Sequence, residues 1–137
     1  MILPINRAIE ILQQKAEPAT EADLPIAVNL ADTLTHHLDH CVGMAANMIG
    51  FNKAIIAIKN GNEVLVMLNP KIVKTSKKMY RTEEGCLSLD GERLVTRYES
   101  VEVSWKDMNG KKRRQKFNGL EAEAIQHEVD HLSGIII

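Results

Sequence analysis

The pentad His127-Glu128-Val129-Asp130-His131 constrains this chain more than any other stretch of it. His-Glu-x-x-His does chemical work only on a helix. There, residues four apart lie about 40° from each other around the axis and about 6 Å along it, so two imidazoles can converge on one ion. Glu128 sits beside His127 on the adjoining face, within reach of a water on such an ion. Taken alone, the spacing is equally compatible with an exposed helix carrying two solvated histidines, so a third donor decides the matter. Six residues follow His131 in the sequence, and none is His, Cys, Asp or Glu. The third donor is therefore expected upstream. Cys86 is the best candidate, because a thiolate suits zinc or ferrous iron and Gly85 before it permits close backbone approach. Two nitrogens, one sulfur and a water make an open tetrahedral site of the catalytic type. Cys41 is the competing thiol, but its apolar surroundings fit a buried, inert cysteine better.

The remaining sequence supplies a frame for such a helix. With 137 residues, 45% of them hydrophobic, the chain can build a core as one domain over 1–137. Only 4% are aromatic, so that core rests on aliphatic residues. A formal net charge of −1 gives no global case for nucleic acid or an anionic membrane. No apolar run approaches the roughly 20 residues that span a bilayer, and the opening Met1-Ile2-Leu3-Pro4 lacks the features of a signal peptide. The expected compartment is the cytoplasm, with Cys41 and Cys86 reduced.

Ile5, Ala8, Ile9, Leu12 and Ala16 predict a helix over 5–16, and a second runs from Thr20 or Glu21 to His37. Asp23 stands three residues after a Thr20 cap, and Pro25 falls within the first turn. The stretch 41–50 is small, apolar and bracketed by glycine, suited to a turn where backbone approaches something closely. Strands are expected over 54–58 and 64–68 around an Asn60-Gly61 turn. Asn69-Pro70 should end the second, with a strand resuming over 71–75. Residues 76–83 are polar, and Asp90-Gly91 is a turn signal. Val101, Val103 and Trp105 alternate with polar residues as a half-buried strand, returning through Asn109-Gly110 into 112–117. The closing helix, Leu120 to Leu132, carries Leu120, Ala124, His127 and His131 along one face. The order predicts an α+β fold: N-terminal helices, antiparallel β-sheets and a C-terminal metal-binding helix.

Three segments together resemble the peptide deformylase family. Glu84-Gly85-Cys86-Leu87-Ser88 and Gln126-His127-Glu128-Val129-Asp130-His131 look like its second and third motifs. Val42-Gly43-Met44-Ala45-Ala46-x-x-Ile49-Gly50 looks like the first, and Asn69-Pro70 and Arg97 also sit where the family tends to have such residues. The resemblance implies a metal-dependent hydrolase that removes the N-formyl group from the N-terminal methionine of newly made polypeptides. By that match Cys86, His127 and His131 hold one divalent ion, Fe2+ by resemblance, with Zn2+ or another transition metal as alternatives. Glu128 takes the proton from the attacking water and passes it to the leaving amine. The Leu87 backbone N–H and a glutamine of the first motif meet the oxyanion. By the same match Val42 and Gly43 line the peptide-binding edge. Helical spacing, separately, puts Leu120 and Ala124 on the ligand-bearing face, where they could help to form an apolar pocket for the methionine side chain.

This chain departs from the pattern at Met48, which stands at the usual glutamine and has no donor to offer. Cys41 also replaces a glycine of the first motif, and Asp90 replaces a proline. The rival reading is a deformylase-fold protein that binds metal or formylated peptides with little turnover. A zincin-type endopeptidase fits less well, for want of a downstream ligand. The run Lys111-Lys112-Arg113-Arg114-Gln115-Lys116 reads foremost as a solvated strand edge, with transient ribosome proximity as a weaker expectation and no specific nucleic-acid or membrane site. His36, His37 and His40 read as a solvated helix end.

Overall fold

Four successive buried residues, Ile55 to Ile58, sit at the start of strand β2 (Ile55–Asn60). Side chains alternate between the two faces of a strand, so burying all four requires cover on both sides. In this computed structural model, which describes residues 1–135, both covers are helices. On one face Ile55 and Ala57 pack with Ala27, Leu30 and Leu34 of helix α2 (Leu24–His36). On the other, Ile56 and Ile58 pack with Ala122, Ile125 and Leu132 of helix α3 (Gly119–Leu132). Each isoleucine so buried contributes roughly 1.5–3 kcal/mol.

The sheet is antiparallel, in the order β1 (Gly43–Ala45), β2, β3 (Glu63–Thr75), β6 (Ser100–Lys106), β7 (Lys112–Asn118). Strands β4 (Met79–Cys86) and β5 (Leu89–Tyr98) form a separate hairpin. The architecture is the expected α+β fold, with the closing helix inside it.

Several boundaries differ from expectation, each for a local reason. The helix predicted over 5–16 shrinks to α1 (Ile9–Leu12). Asn6 is drawn away from it: its backbone N–H donates to the Met48 carbonyl at 2.6 Å and its amide to that of Asn47 at 3.0 Å. The second helix starts as a 3-10 turn over Glu21–Asp23, with the Asp23 carboxylate accepting from the Thr20 N–H at 2.8 Å. Asn69-Pro70 does not end β3. The strand bulges there, with Asn69 at φ 52°, and a bulge tolerates a proline that has no N–H for the ladder. The Asn69 side chain exchanges two hydrogen bonds with the Ala19 backbone, at 2.8 and 3.0 Å.

The polar stretch 76–83, to which the sequence pattern gave no element, contributes most of β4. Asp90-Gly91 is not the hairpin turn either. Cys86 pairs with Leu89 across a turn at Leu87-Ser88, and Gly85 pairs with Glu92, so Asp90-Gly91 forms a bulge with Gly91 at φ 74°. At the far edge of the sheet, the basic run lies on exposed β7, where Arg113 and Arg114 pair with Asp107 and Glu102.

Candidate metal centre

Two segments distant in the chain meet beneath a cleft of about 400 Å³. From α3, His127 and His131 turn their rings together, with the two Nε2 atoms 3.1 Å apart. From the end of β4, Cys86 completes the group, so that the three donor atoms all lie within 4.8 Å of one another. Cys41 is outside this set among the described residues. Its thiol donates to the Gly43 carbonyl at 3.1 Å, and burial pushes its pKa up to about 11. Two imidazole nitrogens this close can share a proton or a cation. Sulfur and two nitrogens suit zinc or ferrous iron, so the donor set fits the ion that the sequence implied.

The partners behind the donors fix their orientation. Side chains two apart on a strand share a face, so Tyr80, Glu84 and Cys86 of β4 all look towards α3. Glu84 Oε1 accepts from His127 Nδ1 at 2.7 Å, which leaves Nε2 for the centre. Arg97 of β5 holds Glu84 through Nη2 at 2.6 Å and reaches Asp130 of α3 through Nη1 at 2.6 Å. Burial alone would raise Glu84, yet its bonds from His127 and Arg97 outweigh it and hold the carboxyl at about 2. The Ser88 backbone N–H donates to Cys86 Sγ at 3.4 Å. The Asn47 amide donates to the His131 carbonyl at 3.0 Å, and Gln126 exchanges two bonds with the Tyr98 backbone. Sequence reasoning gave no role to Glu84, Asp130 or Asn47. The available signal was a buried-type alternation in β4 composed of polar residues, which resembles a loop.

The electrostatics separate the two histidines. Burial holds His131 down at about 3, with the neighbouring His127 adding to the effect. For His127 burial acts the same way, but Glu128, Cys86 and Glu84 outweigh it and lift the ring to about 10. Glu128 is 3% exposed and its Oε1 has no protein partner. Burial raises its carboxyl to about 7. Gly43 explains how the carboxylate fits, since a Cβ there would stand 2.9 Å from Glu128 Oε2. The close backbone approach expected in 41–50 is therefore made, although the segment forms a short strand and a 3-10 turn (Ala46–Ile49) rather than a plain loop.

Val42, Gly43, Met48, Leu87 and Ala124 also line the cleft. Leu120 does not: at the start of α3, one turn before Ala124, it is 61% exposed and outside the lining. Met48 is buried, and its sulfur accepts the Ala45 backbone N–H at 3.4 Å.

The polypeptide deformylase family model matches residues 2–137. A peptide deformylase of Clostridium beijerinckii is 51% identical over 137 residues, all of both chains. The chain belongs to the peptide deformylase family. Among solved structures, a Met-Ala-Ser-bound class I type b peptide deformylase from Acinetobacter baumannii superposes with a TM-score of 0.88 at 30% identity, covering 99% of this chain and 97% of that one. A deformylase from Thermotoga maritima gives 0.89 at 26% identity, covering 99% and 95%. The family is one of hydrolytic enzymes, and the fold expected from the deformylase resemblance is the fold found.

Proposed function

We propose that this chain is a metal-dependent hydrolase that removes the formyl group from the N-terminal methionine of newly made polypeptides. The observation that carries the reading is the convergence of Cys86, His127 and His131 beside a buried, unpartnered Glu128 at the base of an open cleft. These three residues would hold one divalent ion, Fe2+ by family resemblance and Zn2+ by equal fit to the donors. When bound, the ion supplies Lewis-acid polarisation and eases deprotonation of water. Glu128, held near neutrality, is poised to take a proton from the attacking water at Oε1 and return it to the departing amine. The Leu87 backbone N–H donates to the developing oxyanion.

Strand β1 is an edge of the sheet, so Val42 and Gly43 can receive an extended peptide as an added strand. Ala124 lines the space for the first side chain, and Leu120 is left out of that role. The solved relative carrying Met-Ala-Ser supports a peptide with N-terminal methionine as the substrate class. Such nascent chains place the enzyme in the cytoplasm, in transient proximity to the ribosome.

Met48 favours a second reading, of weak turnover. Its thioether is engaged by the Ala45 N–H and has nothing to donate to an oxyanion. A glutamine there could accept that N–H through Oε1 and leave its NH2 free to donate. Anaerobic formate release from formyl-Met-Ala-Ser by iron-loaded protein tests both readings. Wild type should exceed Glu128→Ala, and Met48→Gln should gain up to about 10²–10³ in turnover, the usual worth of one oxyanion donor. Wild type no faster than Glu128→Ala would sink the hydrolase reading. An unchanged Met48→Gln would sink the account of Met48.

A further inference from the structure

At the rim of the same cleft, outside the centre just described, a second pair of imidazoles meets. Helix α2 ends at His36, and the chain turns through His37, Leu38, Asp39 and His40. His37 Nδ1 lies 3.2 Å from His40 Nε2, nearly the separation of the two Nε2 atoms at the buried centre. His40 Nδ1 donates to Asp39 Oδ1 at 2.6 Å. That bond fixes the His40 tautomer, because with the proton on Nδ1 the Nε2 lone pair points at His37. A carboxylate behind the ring, with the far nitrogen free, is the arrangement that metal-ligating histidines commonly adopt. Glu84 supplies it to His127, and Asp39 supplies it here.

We infer that His37 and His40, oriented by Asp39, form a second, exposed site for a late first-row divalent ion at the mouth of the cleft. The ions are those that favour imidazole, Ni2+, Cu2+ or Zn2+, rather than oxygen-seeking Mg2+ or Ca2+. His36 stands edge-on to His37, ring centroids 5.0 Å apart, and is not one of the two donors. Burial and the two neighbouring histidines lower the His37 pKa, favouring the neutral ring that ligates. The site differs from the buried centre in kind. It has two protein donors instead of three, no thiolate, and a His40 side chain that is 54% exposed, so water completes the shell and the ion exchanges freely. His40 also lines the cleft, so an ion held here stands where a peptide enters.

The inference does not depend on turnover, and binding alone tests it. Equilibrium dialysis of the full chain against Ni2+ should find two equivalents, one tight and one weak. His37→Ala and His40→Ala should each keep the tight equivalent and weaken the other by at least about tenfold. Asp39→Ala should weaken the same one by about 10–100-fold, the usual effect of removing an outer-shell partner. Cys86→Ser should do the reverse, losing the tight equivalent and keeping the weak one. A single equivalent in the wild type, or a weak equivalent that survives both histidine variants, would overturn the site.

Discussion

Helices α2 and α3 cover opposite faces of the same strand with nearly the same length, 13 and 14 residues, yet they are held in different ways. Helix α2 buries Ala27, Leu30, Thr33 and Leu34, and needs little beyond apolar contact. Helix α3 buries Ala122, Ala124, Ile125 and Leu132, and with them Gln126, His127, Glu128 and His131. Burying polar side chains is costly unless they are bonded. The β4–β5 hairpin bonds two of them, Gln126 through the Tyr98 backbone and His127 through Glu84, which Arg97 holds while also reaching Asp130. One helix is set by packing and the other by a charged network as well. Glu128 and His131 are left over, each with a buried unbonded atom, Oε1 and Nδ1, and Glu128 is the residue proposed to move protons.

This contrast can be broken from either side. Arg97→Met should have the largest effect on stability, because it strands Glu84 and Asp130. Losing one partner of a buried pair costs about 3–5 kcal/mol, read as a lower urea midpoint, and metal affinity should fall as well, because Glu84 then no longer positions His127. Leu30→Ala on α2 should cost a comparable or smaller amount, about 2–5 kcal/mol, while leaving metal affinity as it was. A loss of affinity in Leu30→Ala equal to that in Arg97→Met would show that the two faces are not separable.

The smallest expected effect is in acid. The folded carboxyl of Glu84 sits at about 2, below its ordinary 4.5. A carboxyl depressed on folding binds more protons when unfolded, so its contribution is present above pH 4.5 and lost as pH falls towards 2. The wild type should therefore lose more stability than Glu84→Gln between pH 6 and pH 3 in denaturant titrations of metal-free protein. Parallel curves would remove Glu84 from the account.

The same contrast governs how far the sequence could be read. Helices α2 and α3 and strand β6 were legible because a local apolar period marks them, and β2 because an unbroken apolar run precedes a turn signal. The three clustered residues were legible as candidates as well, His127 and His131 by helical spacing and Cys86 by elimination and resemblance. Strand β4 was not, because its inward residues Tyr80, Thr82, Glu84 and Cys86 are as polar as a loop. Its partners lie far off in sequence: Glu84 meets His127 at a distance of 43 residues and Arg97 at 13. Leu120 was misread for a related reason, since helical phase alone does not show where a helix leaves its neighbours. Asn6 and Asn69, whose side chains bond to distant backbone, moved two boundaries that no local pattern marks.

The central claim is that donors from two distant segments make one centre, with the thiolate coming from β4. Cobalt substitution tests this directly, since a cobalt–thiolate bond has its own charge-transfer absorption. One equivalent of Co2+ should produce that band in the wild type and in Cys41→Ser, and fail to produce it in Cys86→Ser. A band that persists in Cys86→Ser, or one lost equally in both variants, would contradict the assignment.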